Sequence, residues 1–152
     1  MPTTLRHNRS PVNVAQGLAI VLITLLHAVA SAQSVTWNWA RTLDGGNYEL
    51  VRDIAVQDGT GDILVAGTYQ ANTAGIAPYN LPASNGGSED AFVAKFDAAG
   101  NLLWSRGFGS NQDDGAQGVA ISATGQVVVT GLYDGSIPAL GLTNAGASDA
   151  FI

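Results

Sequence analysis

A chain of 152 residues with a formal charge of −6, 12 acidic residues against 6 basic ones and no cysteine is poorly suited to nucleic acid or an anionic lipid surface. Both of those attract basic patches. Both histidines, His7 and His27, fall near the N-terminus, ahead of Gln33. Everything after them therefore lacks a histidine base, a Ser-His-Asp triad, a cysteine nucleophile and a Cys/His zinc site.

The segment that holds the histidines has its own pattern. Residues 1–11 carry Arg6, His7 and Arg9 and no acid, residues 17–30 form an apolar run, and Ala30-Ser31-Ala32 precedes Gln33. A basic n-region, an apolar h-region and an A-x-A site are the parts of a secretory signal peptide. A membrane anchor would need ~20 apolar residues, and this run is shorter. Residues 1–32 are thus expected to be a cleaved signal, with an alternative cut after Ala28-Val29-Ala30. Cleavage leaves Arg41, Arg52, Lys95 and Arg106 against all 12 acids, a balance compatible with cations. The expected location is secreted or cell-surface, with no membrane span after cleavage. That compartment is oxidising, yet no disulfide is possible, so the core must hold by packing alone.

The remainder reads as strands and turns. Residues 34–43, rich in Trp and Thr, predict a strand. Residues 44–50 (DGGNYEL) predict an acidic loop, 51–56 a short strand, and 58–61 (DGTG) a turn. Residues 62–69 (DILVAGTY) form an apolar strand. A long loop, 70–89, leads to a strand at 90–96, a hairpin turn at 97–100 and a strand at 101–108. Residues 109–117 (GSNQDDGAQ) read as a polar loop, 118–122 as a short strand and 126–133 (QVVVTGLY) as another apolar strand. A second long loop, 134–148, precedes DAFI at 149–152. No sustained helical period follows the expected signal.

The chain repeats itself. Trp39 and Arg41 recur as Trp104 and Arg106, and Ile54-Ala55-Val56 recurs as Val119-Ala120-Ile121, all at one common offset. Gly67 matches Gly131 and Tyr69 matches Tyr133 at an offset shorter by one position. Asp90-Ala91-Phe92 matches Asp149-Ala150-Phe151 at an offset shorter again. The offset shrinks only in turns and loops, where insertions and deletions are tolerated. A four-strand unit of roughly 60 residues is blade-sized for a β-propeller. The expected fold is all-β, with four-stranded antiparallel blades of the propeller type, about two of them and incomplete. Residues 33–50 would supply the outer strand and loop of a closing blade, 51–109 a full blade and 110–152 a partial one. Strands 119–121 and 127–129, apolar on both faces, read as inner strands. Strands 90–96 and 101–108, carrying Lys95, Ser105 and Arg106, read as outer ones. Because a propeller typically needs at least four blades, the remaining blades are expected beyond Ile152, and residues 33–152 alone are expected to associate or aggregate.

DAFVAKFDAAGNLLWSRGFG at 90–109, then DDGAQGVAI and GQVVVTG, resembles the SBBP repeat of bacterial secreted β-propeller proteins. The resemblance covers most of the chain from Trp39 onward. The first copy departs from it: residues 44–50 lack the D-D-x-A pattern, and the loop after its second strand is longer. The resemblance implies a fold and export, and it supplies no catalytic residues.

Antiparallel connectivity sorts the loops. Both long loops and both acidic loops, with Asp44, Glu49, Asp113 and Asp114, should share one face of the molecule. Ligand sites concentrate on such loops. Asp113 and Asp114, with Asn111 nearby, offer oxygens suited to Ca²⁺; the same residues suit an Asx-turn that caps backbone amides, and capping is the reading taken. Residues 58–62 (DGTGD) resemble the start of an EF-hand loop but lack the terminal Glu, so they read as a turn. Gly45-Gly46 and Gly86-Gly87 are followed by no P-loop lysine and read as turn glycines. No carboxylate pair stands out for glycosidase chemistry. Trp37, Trp39 and Trp104 suit sugar stacking, and suit the rim between blades better. The function expected is non-catalytic binding or scaffolding of an extracellular protein or glycan, without a cofactor. The alternative is part of a secreted polysaccharide-acting enzyme whose catalytic residues lie outside this stretch.

Overall fold

A computed structural model describes residues 38–45, 47–71, 76, 79–84 and 88–152. The expected signal peptide, Trp37, Gly46 and Gly86-Gly87 lie outside the described residues. Among the described residues seven strands form two antiparallel sheets: β1 (Tyr48–Val56), β2 (Ile63–Gln70), β3 (Asp90–Phe96) and β4 (Leu102–Phe108) in one, and β5 (Asp114–Ile121), β6 (Val127–Tyr133) and β7 (Asp149–Phe151) in the other. Within each sheet every strand pairs with its neighbour in sequence. The molecule is all-β. Among the described residues the one helical element is a 3₁₀ turn, Pro138–Leu140, and no helix is long and apolar enough to cross a membrane.

Side-chain alternation gives the first sheet two apolar faces. Leu64, Ala66, Ala91 and Val93 point one way and meet Ala116, Val119, Ile121, Val127 and Val129 of the second sheet. We call this contact the seam. Phe108 and Phe151 meet edge-on across it, centroids 5.4 Å apart. Val65, Phe92, Ala94 and Phe96 point the other way. Part of that face is covered by Leu43, Ile76, Tyr79 and Leu81, and the rest is open. The long loop after the second strand of each sheet is braced by an isolated bridge, Ile76↔Leu81 in one and Ile137↔Leu142 in the other. The β3–β4 turn is held by Asp97, whose Oδ1 accepts the amides of Ala99 and Asn101. Gly100 there has φ +80°, a conformation that favours glycine.

Several expectations need correction. The described part of the expected first strand, 38–43, pairs with no other strand. Its side chains hold it instead: the Trp39 Nε1 donates to the Ala98 carbonyl at 3.1 Å and the Arg41 Nε to the Gly100 carbonyl at 2.9 Å. The strand expected at 51–56 begins at Tyr48, and the one expected at 118–122 begins at Asp114. Each contains a bulge, Val51/Asp53 in one and Ala116/Gly118 in the other, which breaks the alternation by which strands are read. Burial does not follow strand polarity. β3, which carries Lys95, is the most buried strand, whereas β1 exposes Val51, Ile54 and Val56. β3 lies between β2 and β4 with both faces packed, while β1 is a sheet edge.

Candidate functional site

Both long loops and one of the two acidic loops meet, while Asp44 and Glu49 of the other acidic loop do not line the groove they form. Glu89, Asp113, Asp114, Asp134, Ser148 and Arg52 line a shallow groove of about 270 Å³ where the ends of both long loops meet. Backbone bonds set its shape. The Asp114 amide donates to the Glu89 carbonyl at 2.7 Å, and the Asp134 amide to the Asp113 carbonyl at 3.1 Å.

The carboxylates face inward to amides. Asp114 is buried. Its Oδ2 accepts the Ser110 amide and, at 2.8 Å, the Ser110 hydroxyl. Its Oδ1 accepts the Asp134 amide at 3.3 Å. Burial raises the pKa of Asp114 above the ordinary carboxylate value, against the lowering effect of these bonds. Asp113 Oδ1 accepts the Glu89 amide at 3.3 Å, and Asn111 lies exposed on the same loop. Asp149 repeats the Asp114 device, its Oδ2 accepting the Ala145 amide, one turn back, at 2.7 Å. Glu49 Oε1 likewise accepts the Gly45 amide at 2.9 Å. These carboxylates therefore shape loops, because an amide bonded to a carboxylate is a strong, charge-assisted cap.

Deeper in, the buried Asp90 lies beside Gly109, where an added Cβ would sit 2.3 Å from Asp90 Oδ1 and 3.0 Å from Asp114 Oδ2. Only glycine fits between the two acids. Burial, and then the Asp90 charge, raise the Tyr69 hydroxyl well above its ordinary value. It stays neutral and is no base.

Other singled-out residues fall elsewhere. In the EF-hand-like turn, Asp62 Oδ2 pairs with Lys95 Nζ at 2.8 Å. Trp104 packs in the seam and Trp39 on Phe96, centroids 6.1 Å apart. Among the described residues no three His, Cys, Asp or Glu side chains gather as a metal-holding group.

Sequence reasoning missed the polar clamps of the seam. Asp53 Oδ2 accepts the Val119 amide at 2.8 Å, and Gln57 Nε2 donates to the Ala123 carbonyl at 3.0 Å. The available signal was Asp53 itself, a carboxylate directly before the apolar run Ile54-Ala55-Val56. No protein-family model matches the chain, and no curated protein matches it.

Proposed function

We propose that the chain is an exported, non-catalytic repeat module of the β-propeller kind, similar to SBBP repeats, that binds or scaffolds at the cell surface or outside the cell. One observation carries the reading. Two copies of the repeat stack through an apolar seam, and the loops at one end of the stack converge on a single acidic groove. Loops carried on a rigid scaffold are where binding concentrates, and two of the groove's carboxylates, Asp113 and Asp114, are engaged in holding loops. From Gln33 onward there is no histidine or cysteine to supply a base or a nucleophile.

Two experiments test it. N-terminal sequencing of secreted protein should begin at Gln33; an intact Met1 on a membrane-bound product would overturn export. The secreted full chain should be retained saturably on a glycan array or on cell envelopes without releasing products from polysaccharide. Product release would overturn the non-catalytic reading.

A further inference from the structure

The acidic groove opens where β1 and β2 meet β5 and β6, at the loop end of the seam, and a buried hydroxyl lies at its floor. Thr68 is 2% exposed, and among the described residues none makes a hydrogen bond to its side chain. A buried hydroxyl with no partner costs stability. This one has an outlet. Thr68 and Gly115 both line the groove, and an added Cβ at Gly115 would lie 2.7 Å from Thr68 Oγ1. Glycine thus keeps the hydroxyl uncovered. The repeat sets this pair apart. The counterpart of Thr68 is Leu132, and that of Gly115 is Leu50. Each strand position accepts a leucine, so the fold itself calls for neither a hydroxyl nor a glycine there.

The other groups around the hydroxyl fix the chemistry of an occupant. Glu89 and Asp134 bring carboxylates and Arg52 a guanidinium, and none of the three side chains forms a hydrogen bond or ion pair with a described residue. Gln117, the repeat partner of Arg52, adds an exposed amide. Carboxylates only accept hydrogen bonds and a guanidinium only donates, whereas hydroxyls do both. A sugar hydroxyl can therefore meet every one of these groups. An anionic ligand would meet Glu89 and Asp134. A metal ion would meet Arg52, and the oxygens of Asp113 and Asp114 are already given to amides. The groove is too shallow and polar for the aromatic anchor on which protein interfaces centre. At about 270 Å³ it has room for one sugar residue. Building on the reading of the chain as an exported binding module, we propose that this groove holds one neutral sugar residue of an extracellular glycan, whose hydroxyls bond to Thr68 Oγ1, Arg52, Glu89 and Asp134.

The test is an array of neutral, acidic and amine-bearing glycans probed with the full chain as secreted. The wild type should be retained on a neutral glycan and released by the free monosaccharide of that glycan's terminal unit. Thr68→Val keeps the shape and removes the hydroxyl. It should weaken retention about tenfold, the worth of one hydrogen bond. Its melting temperature should hold or rise, because the hydroxyl has no partner inside the fold. Arg52→Ala, at an exposed position, should weaken retention by a similar factor. Asp58→Asn, in the turn at the far end of β1, should change nothing. Retention on a neutral glycan that survives both Thr68→Val and Arg52→Ala overturns the groove as the site and leaves the binding-module reading standing. Retention only on acidic or amine-bearing glycans overturns the neutral-sugar assignment. Retention on no glycan overturns the proposal too, and saturable retention on cell envelopes would then still support the module reading. A lower melting temperature for Thr68→Val would show the hydroxyl engaged inside the fold, which also overturns it.

Discussion

Asp53 and Val119 are joined across the seam: one carboxylate oxygen of Asp53 accepts the Val119 amide and the other accepts the amide of Ile54, each at 2.8 Å. One side chain thus fixes two equivalent strand positions, since Ile54 and Val119 are repeat partners. The seam is apolar around this point, and apolar contact alone sets no register. The Asp53 carboxylate does, because its two acceptors reach only one pair of amides.

Asp53→Ala should lower the melting temperature and loosen the second sheet from the first, read as faster amide exchange at Val119 than at Ala120. The pH dependence has a definite sign. These two amide bonds lower the Asp53 value below its ordinary 3.8. A carboxylate lowered in the folded state contributes stability that is fully present above the unfolded value and lost as pH falls through the folded one. The wild type should therefore lose stability below about pH 3.8 more steeply than Asp53→Ala. Equal acid limbs would refute the clamp.

Asp114 should act in the opposite sense. Burial raises its folded value above 3.8, so the folded state holds its proton more tightly than the unfolded one. Stability from this group is greatest below the unfolded value and declines as pH rises through the folded one. Asp114→Ala should remove that decline. It should also cost ~1–3 kcal/mol at neutral pH, because the Ser110 and Asp134 donors lose their acceptor in a buried place. Urea unfolding at several pH values reads both effects.

Calcium should not raise the melting temperature of the full chain. A ligand that binds only the folded state stabilises it, but Asp113 and Asp114 direct oxygens at the amides of Glu89, Ser110 and Asp134. Bringing them to a cation would free those amides. A calcium-dependent rise that disappears in the double variant Asp113→Asn, Asp114→Asn would show that the loop rearranges to bind.

Strand positions were legible over most of the aligned repeat, though not at 38–43, which align with β4 and pair with no strand. Val127–Tyr133 and Ile63–Gln70 match in sequence and in register, because both are continuous apolar runs that follow turn glycines. The starts of β1 and β5 were not legible, since Tyr48-Glu49 and Asp114-Gly115 are polar or turn-forming in composition and are strand only through pairing with β2 and β6. The difference in burial between β1 and β3 was invisible for a further reason. Polarity reports what a face can bury, and whether another sheet covers it is a tertiary fact. At the acidic groove, connectivity showed which loops meet but not where their carboxylates point. The bracing bridge Ile76↔Leu81 and its counterpart Ile137↔Leu142 share an I-x-x-x-x-L spacing that was readable and lay in stretches read only as loops.

The glycines shared by the two apolar strands offer the sharpest test of the repeat. An added Cβ at Gly67 would lie 2.0 Å from the Leu50 carbonyl oxygen, and one at Gly131 would lie 2.1 Å from the Gly115 carbonyl oxygen. Leu50 and Gly115 are themselves repeat partners, at the offset that relates Trp39 to Trp104. In each sheet the first strand bulges just beyond this point, which brings its backbone over the glycine of the second. The obstacle is backbone, so no rotamer change relieves it. Gly67→Ala should therefore cost about 1–3 kcal/mol, the range for overpacking a filled site. Gly131→Ala should cost a similar amount, with Phe151 also in the way at 2.5 Å. A control sits at Gly118, where the nearest atom to an added Cβ is the Thr130 hydroxyl at 2.9 Å, the end of a side chain that can rotate. Gly118→Ala should cost less than either. Chemical denaturation of the three variants decides the order, and equal losses at all three would mean that strand propensity, not the close approach of the bulge, keeps glycine at these positions.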